Sequence, residues 1–359
     1  MGNGIKVAKA DAQALHSFLV ENGLLGMGER PMREKDFVVF PLAKKLNRKG
    51  LAEIGKALSL DSERQLKIVS KKFSSAPHGD RTWREALEGK LPKKLMKSVP
   101  SSFDSLGNAA IIEVPDELEG RGKALGKALM EVNKSIESVF MKTGAHTGIF
   151  RNEPVKLVAG KKIEKAVYRE HGCTFRISIG KVFFSPRLST ERRRISGLIK
   201  PGEEVAALFA GVGPFPIVFA KNSQMGKAVA IELNPVAVGD MKENIKMNKV
   251  EGRVEAVFGD VKALAEKPGY FGKFDRAVMP LPKGGESFLE DAIKYIKPSG
   301  GVVHYYQFVS RDDPYSVPHR QIEAACKSLG RKFEVLFERQ VREYAPEIIQ
   351  VVVDFRTWA

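Results

Sequence analysis

Cysteine is almost absent from this 359-residue chain. The two present, Cys173 and Cys326, are too few and too far apart for a disulfide framework, and no C-x-x-C zinc pattern exists. A reducing, cytoplasmic setting is therefore expected. His171 and Cys173 form an H-x-C pair, but no further ligands stand at metal spacing. The pair reads as a strand or turn feature, and no metal is expected. Long apolar runs are missing too, which excludes a bilayer-spanning helix and leaves no membrane partner expected. Met1 to Lys6 is not followed by an apolar signal core, and Lys6 stands where a myristoylation signal carries Ser or Thr. Acidic residues are in deficit: 43 Asp and Glu face 59 Lys and Arg, for a formal net charge of +16. Such an excess favours a polyanionic partner through counterion release. A solvated basic surface is the plain alternative.

What is present is ordinary for a soluble globular protein, with 43% apolar and 28% charged residues. The length allows two or three domains, and a monomer is expected. Residues 1–70 read as a small α/β module, with an amphipathic helix over 11–22 and a strand over 36–42 ended by Pro41. Residues 71–100 carry clustered lysines and prolines. They read as a basic linker with one or two short helices, either solvated or touching RNA. A middle domain is expected over 101–181, with a strand at 108–114, a helix over 122–143 and strands at 155–158, 166–169 and 175–179. From about residue 182 to 359 strand and helix alternate. Strands are expected at 205–209, 228–232, 254–258, 276–279 and 302–308, then two more at 333–340 and 348–355. That order predicts a doubly wound, Rossmann-like α/β sheet with an antiparallel edge.

The first of these strands runs into Phe209-Ala-Gly-Val-Gly-Pro-Phe215. Gly211 and Gly213 allow a tight turn and close approach to a ligand, and the next helix adds its N-terminal donors. Glu232 lies at the spacing where a carboxylate meets ribose hydroxyls. A dinucleotide site needs a third glycine where Pro216 stands, so a diphosphate fits poorly. S-adenosylmethionine (SAM), an adenosine with an amino acid and no phosphate, fits the same loop. Asp260 admits two readings, a contact to the adenine edge or a helix N-cap. Asn234-Pro235 reads as a helix start.

Just before this domain, Val182 to Arg192 packs Phe183, Phe184, Arg187, Glu191 and Arg192 into one segment. Ser189-Thr190 would cap a helix there, which accounts for the helix but not for two aromatics running into Ser185-Pro186-Arg187. Together with F-A-G-V-G-P-F (209–215), I-E-L-N-P (231–235), H-T-G-I-F-R (146–151), S-F-D-S-L-G-N-A-A-I-I (102–112) and Y-A-P (344–346), this segment resembles the Trm5 family. These are the archaeal and eukaryotic tRNA (guanine37-N1)-methyltransferases.

The resemblance implies a class I SAM-dependent methyltransferase domain, preceded by a small α+β middle domain and a small N-terminal domain that checks tRNA shape. The partner implied is tRNA, held at the anticodon stem-loop and the elbow. Glu191 matches the general base and Arg151 the residue that steadies guanine O6. Arg192, Phe209, Gly211, Gly213, Glu232, Leu233, Asp260, Val261 and Pro280 fall on the cofactor side; Phe183, Arg187 and Pro282 fall on the substrate side. These residue types suit the chemistry, because guanine N1 needs a base to take its proton and a donor for the charge growing on O6. Two positions depart from the family pattern: Ala207 replaces an acidic residue, and Pro280 replaces the Asn of an N-L-P loop. Another SAM-dependent step on nucleotide 37, wyosine-type methylation or aminocarboxypropyl transfer, is the alternative. A non-catalytic tRNA-binding protein is a third reading.

Overall fold

The computed structural model describes residues 2–26, 29–57, 66–74, 82–100, 102–144 and 154–359. The chain divides into two compact units, Met1–Glu88 and Gly89–Ala359. In the first, strands β1 (Gly2–Ala8), β2 (Met32–Arg33), β3 (Phe37–Pro41) and β4 (Lys67–Lys71) form an antiparallel sheet in the order β2-β3-β1-β4. Period-two alternation sends Ile5, Val7, Val38 and Phe40 inward. They pack on Leu15 and Leu19 of α1 (Ala12–Glu21) and Ile54 of α2 (Arg48–Ala57). The helix and the strand expected here are both found. β1 escaped notice because its glycines blur the alternation; a Cβ on Gly4 would come 2.5 Å from Phe73.

The stretch read as a basic linker is partly packed. Trp83, Ala86 and Leu87 are buried in the first unit, and Leu91 and Val99 in the second. Lys93 and Lys94 of α3 (Lys93–Met96) stay outside. A four-stranded sheet follows in the order β5-β6-β7-β8, from β5 (Asp104–Leu106), β6 (Ala109–Ile112), β7 (Ser138–Lys142) and β8 (Val155–Gly160). Its helices are α4 (Asp116–Glu119) and α5 (Gly122–Val132). The helix expected over 122–143 is thus two elements. It ends where the Asn133 amide bonds back to the Leu129 carbonyl. Residues 138–142 then enter the sheet between β6 and β8. Short apolar runs fit either period, and the buried slot in the sheet decides.

β9 (Lys165–Glu170) and β10 (Cys173–Ser178) form a hairpin turning at His171 (φ 46°) and Gly172 (φ 75°). The H-x-C pair is therefore a turn feature, with Cys173 buried. A seven-stranded sheet comes next. Its strands are β11 (Glu204–Leu208), β12 (Lys227–Glu232), β13 (Val254–Phe258), β14 (Arg276–Met279), β15 (Gly301–Ser310), β16 (Lys332–Ala345) and β17 (Ile348–Trp358). They lie in the order β13-β12-β11-β14-β15-β17-β16, the first five parallel and β17 antiparallel to both neighbours. One face carries α6 (Ser189–Leu198), α7 (Pro214–Asn222) and α8 (Pro235–Met247); the other carries α9 (Val261–Ala265), α10 (Leu289–Lys294) and α11 (Ser316–Ser328). This is the Rossmann-like architecture expected.

One contact fastens the hairpin to this sheet domain. Strand β10 has β9 on one edge only, so the peptide groups of its other edge need partners. Helix α8 supplies them. Asp240, Asn244 and Asn248 accept the backbone N–H groups of Ser178, Arg176 and Thr174 at 2.7, 2.7 and 2.9 Å. The amides of Asn244 and Asn248 donate back to the carbonyls of Arg176 and Thr174. The match is metric. Four helical residues rise about 6 Å, and two strand residues about 6.6 Å. Asn244 is fully buried and also donates to the Val212 carbonyl at the glycine loop. Replacing it with Ala strands several buried peptide groups, so Asn244→Ala is expected to cost about 2–4 kcal/mol. Denaturant unfolding measures this; a loss below about 0.5 kcal/mol would show that the side-chain ladder does not hold the hairpin.

Candidate active site

The loop leaving β11 is set by backbone conformation. Phe209 (φ 52°), Gly211 (φ 56°) and Gly213 (φ 83°) all lie in the left-handed region. At Gly213 a Cβ would sit 2.9 Å from Met241 Cγ, so glycine serves both the turn and the packing of α8. Gly213 then opens α7 with Pro214 in its first turn. The Gly211 N–H donates to Glu232 Oε2, and the Asn234 N–H to Oε1, both at 2.8 Å. The carboxylate thus ties the loop to the end of β12. Beside it Leu233 and Phe258 are exposed, Phe258 at 60%. Two bare apolar side chains flanking a carboxylate at the strand ends form an open cradle.

Asp260 caps α9, its Oδ1 accepting the N–H groups of Lys262 and Ala263. Val261 packs into the core beneath, which leaves only its backbone for a ligand. Asn234 caps α8 as expected, its side chain accepting the Val236 N–H. Pro280 and Pro282 are half-buried in the loop after β14, where the Pro282 carbonyl accepts the Phe308 N–H at 3.0 Å.

Helix α6 carries the second half of the site. Its Ser189 hydroxyl bonds to the His171 ring rather than capping the helix. Arg192, expected near the cofactor, is 1% exposed and grips Glu170 with two nitrogens at 2.5 and 2.8 Å. It also donates to the Ser185 carbonyl and lies over the rings of Phe184 and Phe215. Arg192 therefore shapes the 183–187 segment. In that segment Phe184 packs edge-on against Tyr168, Phe183 stays 46% exposed, and Arg187 pairs with Asp104 at 2.8 Å. Arg151 and the rest of the H-T-G-I-F-R motif lie outside the described residues.

Glu191 is also 1% exposed. Its carboxylate accepts from Arg194 (2.9 Å), from the Tyr306 hydroxyl (2.7 Å) and from Arg339 (Nε, 3.0 Å). Burial by itself would raise the Glu191 pKa. The hydrogen bonds of Arg194 and Tyr306, with the charge of Arg194 and the bond from Arg339, win and hold it below the usual carboxylate range. Tyr306 in turn meets the ring of Phe215 in α7, so Glu191 is joined through aromatics to the helix that the glycine loop opens.

From Arg194 the polar contacts continue inward as a seam. Arg194 Nη1 reaches Asp354 at 2.5 Å, Asp354 meets His304 Nδ1 at 2.6 Å, and Arg276 bonds both His304 Nε2 at 2.7 Å and Glu203. Arginine can only donate, so His304 Nε2 accepts and the ring proton sits on Nδ1, facing Asp354. Burial and the nearby arginines outweigh Asp354 and keep this fully buried ring neutral. Asp354, which burial would raise, is driven down to about 2 by His304 and Arg194. No sequence motif announces Arg194, Tyr306, Arg339, His304 or Asp354. For Tyr306, His304 and Asp354 the available signal was polar residues at inward positions of otherwise apolar strands.

A concavity of about 970 Å³ borders this seam, lined by Arg194, Lys200, Arg276, Val302, His304 and Arg356 among others. It opens at the N-terminal ends of β11, β14 and β15. Open α/β sheets bind their ligands at the other end, where the glycine loop, Glu232 and the proline loop converge. The cradle there, not the larger cavity, is the cofactor candidate. A separate cleft of about 500 Å³ is lined by Asp104, Lys142, Phe183, Arg187, Arg342 and Tyr344 among others.

The chain is similar to known proteins. The sequence profile of the TRM5/TYW2 methyltransferase domain matches residues 166–336, and that of the TYW2 N-terminal domain matches 83–163. The tRNA (guanine(37)-N(1))-methyltransferase Trm5b of Pyrococcus abyssi is 36% identical over 352 residues, 98% of each chain. A solved complex of aTrm5 with tRNALeu superposes with a TM-score of 0.68 at 28% identity, covering 98% of this chain and 99% of that one. Methanocaldococcus jannaschii Trm5 in complex with adenosine gives a TM-score of 0.64 at 28% identity, covering 98% of each.

The seam has a pH signature. The unfolded chain takes up a proton on histidine near pH 6.5, while folded His304 resists it, so acid favours unfolding from there downward. Asp354 adds a loss of the same sign between about pH 4 and its folded value of about 2. The Tm is therefore expected to fall steadily on acidification below pH 7, and His304→Gln to flatten the part between about pH 7 and 5. Parallel Tm-against-pH curves for the two proteins would remove His304 as a source.

Proposed function

We propose, from the premise that the chain belongs to the TRM5/TYW2 methyltransferase family, that it transfers the methyl group of SAM to N1 of guanosine 37 in tRNA. It is an enzyme, and its partner is tRNA. The observation that carries the reading is the junction of Glu191, through Tyr306 and Phe215, with the glycine-loop helix. This brings a buried carboxylate to the loop that holds the methyl donor.

The cradle suits SAM. Glu232 stands at the strand end where a ribose would meet it, the exposed Leu233 and Phe258 offer apolar cover to an adenine, and Gly211, at φ 56°, lets the loop turn tightly. Asp260, held at the start of α9, faces the same strand ends. Bound SAM supplies an electrophilic methyl group on a sulfonium. The chain's own residues do the rest. Guanine N1 is a poor nucleophile until its proton leaves, and Glu191 takes that proton as the N–C bond forms. Arg151 is assigned to guanine O6, where it stabilises developing negative charge. Pro280 and Pro282 hold the loop against which the base is seated.

Glu191 starts the cycle fully engaged. To accept a proton it must give up a cation, and the two candidates differ. Arg194 is also bound to Asp354 and its side chain is 16% exposed, whereas Arg339 lies on edge strand β16 with a side chain 36% exposed. Arg339 is the one that RNA phosphates would draw away. The bound substrate thereby frees the base.

Product mass separates this reading from the related aminocarboxypropyl transfer, since incubation with SAM and a tRNA transcript carrying G37 should add one methyl, and a transcript carrying A37 should add nothing. In single-turnover assays Glu191→Gln is expected to slow methyl transfer about 10²–10⁴-fold, with SAM and tRNA affinities near wild type. Turnover at the wild-type rate would end the general-base assignment. Glu232→Ala is expected to weaken SAM binding about tenfold or more, the loss of a charge-assisted hydrogen bond; an unchanged calorimetric Kd would remove it from the cofactor site.

A further inference from the structure

The turn end of the β16–β17 hairpin lies beside the 500 Å³ cleft, and its Arg342 and Tyr344 have no role described so far. Tyr344 is 55% exposed and stacks on Phe308 with ring centroids 4.1 Å apart at 33°. The Arg342 guanidinium lies over both rings at 5.9 Å. Phe308 is itself tied by its N–H to the Pro282 carbonyl. The aromatic pair therefore abuts the loop assigned to the target base.

The charges in this cleft do not balance. Lys142 pairs with Glu113 and Arg187 with Asp104. Arg342 is half-buried, and its Nε bonds to the neutral amide oxygen of Gln350 at 2.7 Å. Among the described residues no carboxylate bonds to it. Burial and the like charge of Arg187 both push its pKa down, with Asp104 only partly offsetting them. A guanidinium desolvated beside another cation is unfavourable until an anion arrives. A planar fork over an open aromatic platform suits one anion in particular, a nucleotide whose phosphate meets the fork and whose base stacks on the ring. The volume is within the roughly 300–1,000 Å³ of small-ligand clefts.

We propose that Tyr344, Phe308 and Arg342 form a second nucleotide subsite, which takes a base directly adjoining the methylated guanosine once the target has been splayed out. Tyr344 provides the stacking face and Arg342 holds the phosphate between the two nucleotides. The inference rests on the reading of tRNA as substrate. It goes beyond that reading by assigning a role to a neighbour of guanosine 37. Stacking of this kind tolerates any base, so the subsite adds affinity and holds the unstacked loop open without reading sequence.

The test uses full-length enzyme and tRNA with 2-aminopurine placed immediately 5′ or immediately 3′ of guanosine 37. Wild-type binding should change the fluorescence at one of the two positions. Tyr344→Ala should abolish that change, and Tyr344→Phe should keep it. Arg342→Ala should weaken tRNA binding about 3–30-fold at low salt, and lower the slope of log Kd against log salt by about one. SAM affinity should hold in all three variants, and Tm in the two Tyr344 variants, whose side chain is 55% exposed. A 2-aminopurine signal equal in wild type and Tyr344→Ala at both positions, or an unchanged salt slope in Arg342→Ala, overturns the subsite. Wild-type methylation of unlabelled tRNA is measured alongside. Its absence would refute the substrate reading instead, so the two failures are distinguishable.

Discussion

A strand edge left open must find partners for its peptide groups, and much of this site follows from where β10 finds them. Asp240, Asn244 and Asn248 of α8 act as a substitute strand. That bond set fixes the β9–β10 hairpin against the SAM-type sheet. The hairpin carries Glu170, Glu170 holds Arg192, and Arg192 holds the carbonyl of Ser185. The position of Phe183 and Arg187 is thus inherited from a helix fifty residues further along. Asn244 reaches in the other direction as well, to the Val212 carbonyl in the glycine loop. A single buried amide therefore links the 183–187 segment with the glycine loop. Leu at this position would serve the hydrophobic core equally well and would lose both connections.

The second organising element is ionic. Buried ion pairs are weak contributors to stability, because desolvation consumes most of the Coulomb gain. The run from Glu191 through Arg194, Asp354, His304 and Arg276 to Glu203 is better explained by what it does to one carboxylate. Glu191 is buried, charged and ready, and every donor around it favours the deprotonated form. A base so stabilised is a weak one while the cations stay. In the proposed mechanism catalysis depends on moving a cation rather than on tuning the carboxyl by burial alone, as apolar pockets do for catalytic acids.

The succession of strands, the glycine loop and the capping Asn234 were all legible in the sequence, because each rests on local rules. Alternation marks strands, φ > 0 demands glycine, and Asn-Pro starts helices. Glu232 was legible by spacing. The parts that were not legible share a cause: they are set by partners distant in sequence. Residues 138–142 read as helix because the slot between β6 and β8 is invisible locally. Trp83, Leu87 and Leu91 read as linker because the lysines around them dominate the composition. Arg192 reads as a cofactor contact from its motif, whereas its position is explained by Glu170. Tyr306, Arg339 and Arg342 carry no motif at all. They matter through residues on other strands.

The seam behind Glu191 also bears on heat. Hydration of charged groups becomes less favourable as temperature rises, so the cost of keeping these ions out of water shrinks while their mutual attraction remains. Hydrophobic packing gains no comparable benefit. Arg276, His304 and Asp354 stand on β14, β15 and β17 themselves, so on warming the ionic seam loses less of its contribution than the apolar packing of the same strands. The carboxylate proposed as the base is thus anchored to the contacts whose desolvation cost falls with heat.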